Sequence, residues 1–202
     1  MQTIQVNIFK YNELSQEAQK RARDWYRNLN SQDSSWSDFV IEDAKEVGKR
    51  LGFEIDKVYF AGFWSQGDGA CFEGTFRSSQ FKPGEIQQYA PQDKELHRIA
   101  AEIEKIVSQF YAIHLKVRHL GHYYHKFCTN FKVSITDNQD NEIDTKEAAD
   151  AEKYLIELSR DLMEWIYRAL EKEYEYLNED EQIAESLIAN SFDFEESGAV
   201  WH

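Results

Sequence analysis

Between residues 146 and 177 the apolar residues Ala151, Leu155, Leu158, Leu162, Trp165, Ala169 and Tyr176 recur at spacings of three and four, with one larger gap. That period places them along one side of a single long helix. No other feature constrains the fold as much, because a stripe of this length must cover a sheet or pair with another helix.

The rest of the chain supplies the sheet. Ile4, Val6 and Ile8 alternate with Gln5 and Asn7, the period of a half-buried strand over about residues 2–10. Leu14, Ala18, Ala22 and Trp25 then recur at helical spacing behind Ser15, a natural N-cap. A second helix is expected over about 35–51, with Trp36, Phe39, Val40, Ala44, Val47 and Leu51 on one side and Gly52 as its stop. FEIDKVYFAGFW and ACFEGTFRSS flank SQGDG and read as a hairpin with a long turn. The outgoing arm is one-sided, with Phe72, Gly74 and Phe76 opposed by Cys71, Glu73, Thr75 and Arg77. The incoming arm is apolar on both sides, as expected of a central or doubly covered strand.

KPGEIQQYAPQD, which holds both prolines, is expected to be a surface loop before a helix over about 92–112 carrying Leu96, Ile99, Ile103, Ile106 and Phe110. Two more strands follow, Leu115 and Val117 on the first, Phe127, Phe131, Val133 and Ile135 on the second, with Gly121 at the turn or bulge between them. A short helix near 180–190 and an extended tail close the chain. The sum is an α+β fold: an antiparallel sheet of about five strands, helices packed on one face and a long C-terminal helix. At 202 residues it is read as one domain, 1–202, with 141–202 an acidic helical section.

The net charge of −14 is unevenly placed. Residues 141–202 hold 18 acids and 5 bases, leaving 19 acids and 18 bases for residues 1–140. That field opposes direct nucleic-acid binding unless the near-neutral part presents a local basic patch, and it suits a basic protein partner. The plainer reading is that acids on the outer faces of helices keep the protein dispersed. Cys71 and Cys128 lie outside any CxxC pattern, the N-terminus lacks a signal-peptide pattern, and no window is apolar enough for a membrane span, so a reducing cytoplasm is the expected setting.

Three stretches are candidates for chemistry. In SQGDG, glycines around Asp68 permit positive φ and an anion-binding nest, with Tyr59, Phe63, Trp64, Ser65 and Gln66 available to a ligand or partner. The spacing is neither a P-loop nor a dinucleotide fingerprint, and Gly62 and Gly74 equally well relieve crowding in a hairpin. In HLGHYYH, His119, His122 and His125 are candidate ligands for a divalent metal, with Cys128, Cys71 or Asp68 completing the set; imidazoles on a solvated sheet face are the alternative. Trp165, Tyr167, Tyr174 and Tyr176 amid dense acid form either an interaction surface or ordinary core. No catalytic residue is assigned, and no cofactor is required.

NELSQEAQKRARDWYR, YFAGFWSQGDGACFEG and GHYYH together resemble a family of small proteins encoded by tailed bacteriophages, some labelled antitoxin-like, over about the first two thirds of the chain. The resemblance carries no catalytic residues. It implies a phage protein in the host bacterial cytoplasm, and with the acidic charge it points to a non-enzymatic protein that binds and inhibits a host protein: a toxin, a CRISPR nuclease or another defence component. A binder of small ligands or nucleotides at SQGDG is the alternative, and a His-cluster metal enzyme a further one.

Overall fold

The computed structural model describes residues 7–30 and 35–201. Among them twelve strands and α-helices follow in order: β1 (Phe9–Lys10), α1 (Gln16–Asn30), α2 (Ser37–Arg50), β2 (Phe53–Ala61), β3 (Gly69–Arg77), α3 (Glu85–Tyr89), α4 (Lys94–Val107), β4 (Ala112–His119), β5 (Thr129–Thr136), α5 (Lys146–Leu177), α6 (Asp180–Ala189) and β6 (Asp193–Phe194). The fold is α+β, and its described residues fall into two compact units. None of their helices is long and apolar enough to cross a membrane.

The larger unit, Phe39–Glu171, is built on a four-stranded antiparallel meander in the order β2-β3-β4-β5. Register sets its two faces. Phe53, Ile55 and Val58 on β2 pair with Phe76, Gly74 and Phe72 on β3, and Phe76 and Gly74 pair in turn with Leu115 and Val117 on β4. Those residues are buried. The apolar sides of α4 (Leu96, Ile99, Ile103, Ile106) and α5 (Leu155, Leu158, Leu162, Met163, Ile166) complete this core. Three side-chain contacts join the two helices: Arg98 to Asp161, Tyr154 to Glu102, and Trp165 to Asp93. From α5, the Arg160 guanidinium reaches the sheet, 5.3 Å from the centre of the Phe131 ring. The opposite face carries Glu54, Lys57, Arg77, His114, Lys116, Arg118 and Lys132, all exposed.

The smaller unit, described over residues 7–30, 35–38 and 172–201, has its own core of Tyr11, Leu14, Ala18, Ala22, Ile183, Leu187 and Phe194, with Trp25 and Phe192 packed against it. Its β1 and β6 form a separate two-stranded antiparallel ladder.

Several expectations change. Of the first strand, only Phe9–Lys10 is seen to pair; Ile4 and Val6 lie outside the described residues. The strand apolar on both sides, β2, is an edge and the one-sided β3 is central. The expected loop over KPGEIQQYAPQD contains α3, anchored by buried Ile86. The helix expected to 112 ends at Val107, so Phe110 falls outside it. Phe127 precedes β5 and is exposed, because β5 begins only at Thr129. The antiparallel strands, expected in one sheet of about five, are divided between a sheet of four and a ladder of two, so the expected number is approximately right.

Candidate functional site

In an antiparallel meander the β2–β3 turn (62–68) and the β4–β5 loop (120–128) emerge at the same end of the sheet. Here they touch. A Cβ on Gly67 would meet the Tyr123 ring at 3.7 Å, and one on Gly69 would meet the His125 ring at 3.0 Å and the Tyr124 carbonyl oxygen at 3.3 Å. The SQGDG and HLGHYYH segments therefore form one surface.

Asp68 closes the first loop. Its Oδ2 accepts the N–H groups of Trp64 (3.0 Å) and Ser65 (2.6 Å). Gly62, at φ 49°, is required beside it, since a Cβ there would overlap the Asp68 carboxylate. The amides that a nest would offer to an anion are thus held by the protein's own carboxylate. The closed loop presents Trp64, 71% exposed, while Phe63 turns inward and stacks on Tyr167 of α5 at 5.7 Å between centroids. Gln66 is exposed in the turn.

Below the loops, Tyr59 stacks on His119 (4.7 Å) and on Tyr124 (5.4 Å). Glu73, on the neighbouring strand, fastens this cluster: Oε2 accepts the Tyr59 hydroxyl at 2.9 Å and Oε1 accepts the His119 backbone N–H at 3.2 Å. The Tyr59 hydrogen bond, helped by the His119 N–H, holds the Glu73 carboxyl below the usual carboxylate range, and the same bond pushes the Tyr59 phenol up.

The stability linked to Glu73 has a definite sign. A carboxyl whose folded pKa is depressed contributes above its unfolded pKa, about 4.3, and the contribution fades as pH falls through the lower folded value. The urea midpoint of the wild type should therefore fall more steeply than that of Glu73→Gln below about pH 4.3. Parallel pH profiles for the two would remove Glu73 from this role.

The three candidate metal ligands do not converge. His119 places Nε2 3.1 Å from the Tyr123 carbonyl oxygen. His125 stacks on Phe127 at 5.3 Å and its Nδ1 accepts the Phe127 N–H at 3.3 Å. His122 is exposed in the same loop. Among the described residues no group of three or more His, Cys, Asp or Glu is placed to hold a metal ion. Cys71 and Cys128 are free thiols; burial pushes that of Cys71 up to about 12, so it offers no thiolate near neutrality.

Of the four candidate aromatic residues on α5, Trp165 donates to Asp93, Tyr167 packs on Phe63, Tyr174 packs on Trp36 at 5.6 Å, and Tyr176 is half exposed. A depression of about 580 Å³ beside β2 is lined by Lys45, Lys49 and Lys82 against Glu42, Glu46 and Glu54, and includes none of the loop-end residues. Sequence reasoning missed Glu73, Tyr124 and Tyr167 as parts of the loop-end architecture. Only the alternation of Glu73 with buried Phe72 and Gly74 pointed toward the first.

A family model described as a domain of unknown function, DUF8835, matches residues 36–180. No curated protein and no solved structure matches.

Proposed function

The chain belongs to the DUF8835 family, and from that footing we propose that it is a non-enzymatic binding protein whose contact surface is the loop end of the four-stranded sheet. One observation carries this reading. Trp64, Leu120, Tyr123 and Phe127 are 71%, 54%, 67% and 63% exposed, and all stand on two loops that touch. Single exposed apolar residues are ordinary, but large aromatics gathered on a braced platform are the composition of a protein-binding hot spot. The brace is the Asp68 loop closure on one side and the Glu73 cluster on the other, so little ordering is required on binding.

The resemblance to phage-encoded proteins supplies the partner class: a bacterial host protein, whether a toxin, a CRISPR nuclease or another defence component, held without chemistry on it. The acid of residues 141–202 would speed encounter with a basic partner. The test is a pull-down from host lysate with mass spectrometry, the wild type beside Trp64→Ala/Tyr123→Ala. A partner captured by the wild type should bind the double variant at least about 30-fold more weakly, as expected for hot-spot aromatics. A partner held equally by both, or none captured by the wild type alone, refutes the reading.

A further inference from the structure

The exposed face of the sheet has a charge opposite to that of the chain as a whole. Lys57, Arg77, Lys116, Arg118 and Lys132 stand on it together, with His114 beside Arg77. None of the five cations has an ion-pair or hydrogen-bond partner among the described residues, although the chain holds 37 acids. The acids on this face are Glu54 and Glu73, with Asp56 in the bulge of β2; Glu73 is already committed to Tyr59 and His119.

Register sharpens the point. Lys116 lies directly opposite Lys132 on the same face of an antiparallel pair, and like charges in that relation destabilise a sheet. Arg118 is two residues along β4, and Arg77 is opposite His114. Strand spacing and the two-residue repeat put Lys132 and Arg118 roughly 5–7 Å from Lys116, with Arg77 on a diagonal to Lys116 and Lys57 two strands from Arg118, each roughly 8–10 Å away, so one extended polyanion can meet them in turn.

At the loop end this track reaches rings. Lys57 Nζ lies 4.4 Å from the centre of the Tyr59 ring, which stacks with His119 and Tyr124, and exposed Tyr123 stands beyond. Cations that follow a backbone, joined to aromatic faces on which bases can stack, are the requirements for binding a single nucleic-acid strand. An acidic peptide would use only the cations. A duplex keeps its bases stacked inside, out of reach of the rings.

We propose that the open face of the four-stranded sheet binds single-stranded nucleic acid, its phosphates along Lys57, Arg77, Lys116, Arg118 and Lys132 and its bases against the Tyr59–His119–Tyr124 cluster. This surface adjoins the loop-end apolar patch, sharing with it the loop that carries Tyr123 and Tyr124, but its cations stand on the strands outside that patch, so the lysine variant below leaves the patch untouched. The whole-chain charge is no objection, because 13 of the 14 net negative charges belong to residues 141–202.

The experiment is fluorescence anisotropy of labelled oligothymidylate and oligouridylate against the full-length protein. With four to five phosphates neutralised, affinity should fall by roughly 50-fold or more between 50 and 200 mM salt. Lys116→Ala/Lys132→Ala should weaken binding about tenfold at the lower salt and flatten the salt dependence. Its melting temperature should stay level or rise, since an opposed like-charge pair has been removed. Tyr124→Ala should weaken binding while leaving the salt slope unchanged. No binding at low salt, equal affinity of the lysine double variant, or equal affinity for polyglutamate or for a duplex of the same length would each overturn the proposal.

Discussion

Gly74→Ala is expected to destabilise the larger unit by about 3 kcal/mol or more, close to the upper end for overpacking a core. Gly74 lies on the buried face of β3, paired with Ile55 on one side and Val117 on the other. A Cβ there would overlap the Glu54 carbonyl oxygen and lie 3.1 Å from both the Glu54 carbonyl carbon and Ile55 Cα. Every one of those atoms is backbone, so no rotamer change relieves the overlap. The pairing already shifts between Ile55 and Lys57, which leaves β2 against Gly74 with no spare register to absorb a displacement.

Gly48→Ala is the matched control. Its Cβ would meet the tip of a side chain, Ile55 Cδ1 at 2.7 Å, and Ala gains about 1 kcal/mol over Gly within α2. Gly48→Ala should therefore stay within about 1 kcal/mol of wild type. Urea unfolding followed by circular dichroism decides it: similar midpoints for the two variants would mean that strands β2 and β3 do not approach this closely at Gly74.

That glycine also shows what a sequence discloses and what it withholds. The periodicity of Phe72, Gly74 and Phe76 identified the buried side of β3, and the stripe from Ala151 to Leu162 identified the buried side of α5, which continues through Met163, Ile166 and Leu170 rather than Trp165 and Ala169. Period reports which side of an element is apolar. It does not report which element lies beside it, and so an arm apolar on both sides fitted either a central strand or one covered on both sides; β2 stands at the edge of the sheet. Part of its apolar excess serves the loop end, where Tyr59 enters the ring cluster, and Phe63, just past the strand, packs on Tyr167.

The candidate site was legible in the same partial way. SQGDG and HLGHYYH stood out for their composition, but their meeting depends on strand order, which no local pattern encodes. Asp68 was visible as a residue between glycines, whereas its use as an internal acceptor for Trp64 and Ser65 depends on the fold of the turn. The cations of the open face are spread across four strands, from Lys57 to Lys132, and only register makes them neighbours. Summed over the chain they vanish beneath the acids.

A second large effect is expected at Asp93, where one carboxylate performs two tasks. Oδ1 accepts the N–H groups of Glu95 (3.1 Å) and Leu96 (3.0 Å), capping α4. Oδ2 accepts the Trp165 indole N–H at 2.7 Å, tying α4 to α5. Asp93→Ala removes a cap worth about 1 kcal/mol and leaves a half-buried indole N–H without its acceptor, a further 1–2 kcal/mol or so. A total loss of about 2–3 kcal/mol follows. Asp93→Asn separates the two tasks: Asn caps as well as Asp, but its amide has a single acceptor oxygen, so the cap or the indole bond survives and not both. Its loss should fall between wild type and Asp93→Ala. Trp165→Phe removes the donor instead, and in the Asp93→Ala background it should cost less than it does alone, because the bond it deletes is already gone. Additive losses in that cycle would show that the indole bond contributes nothing to the joining of α4 and α5.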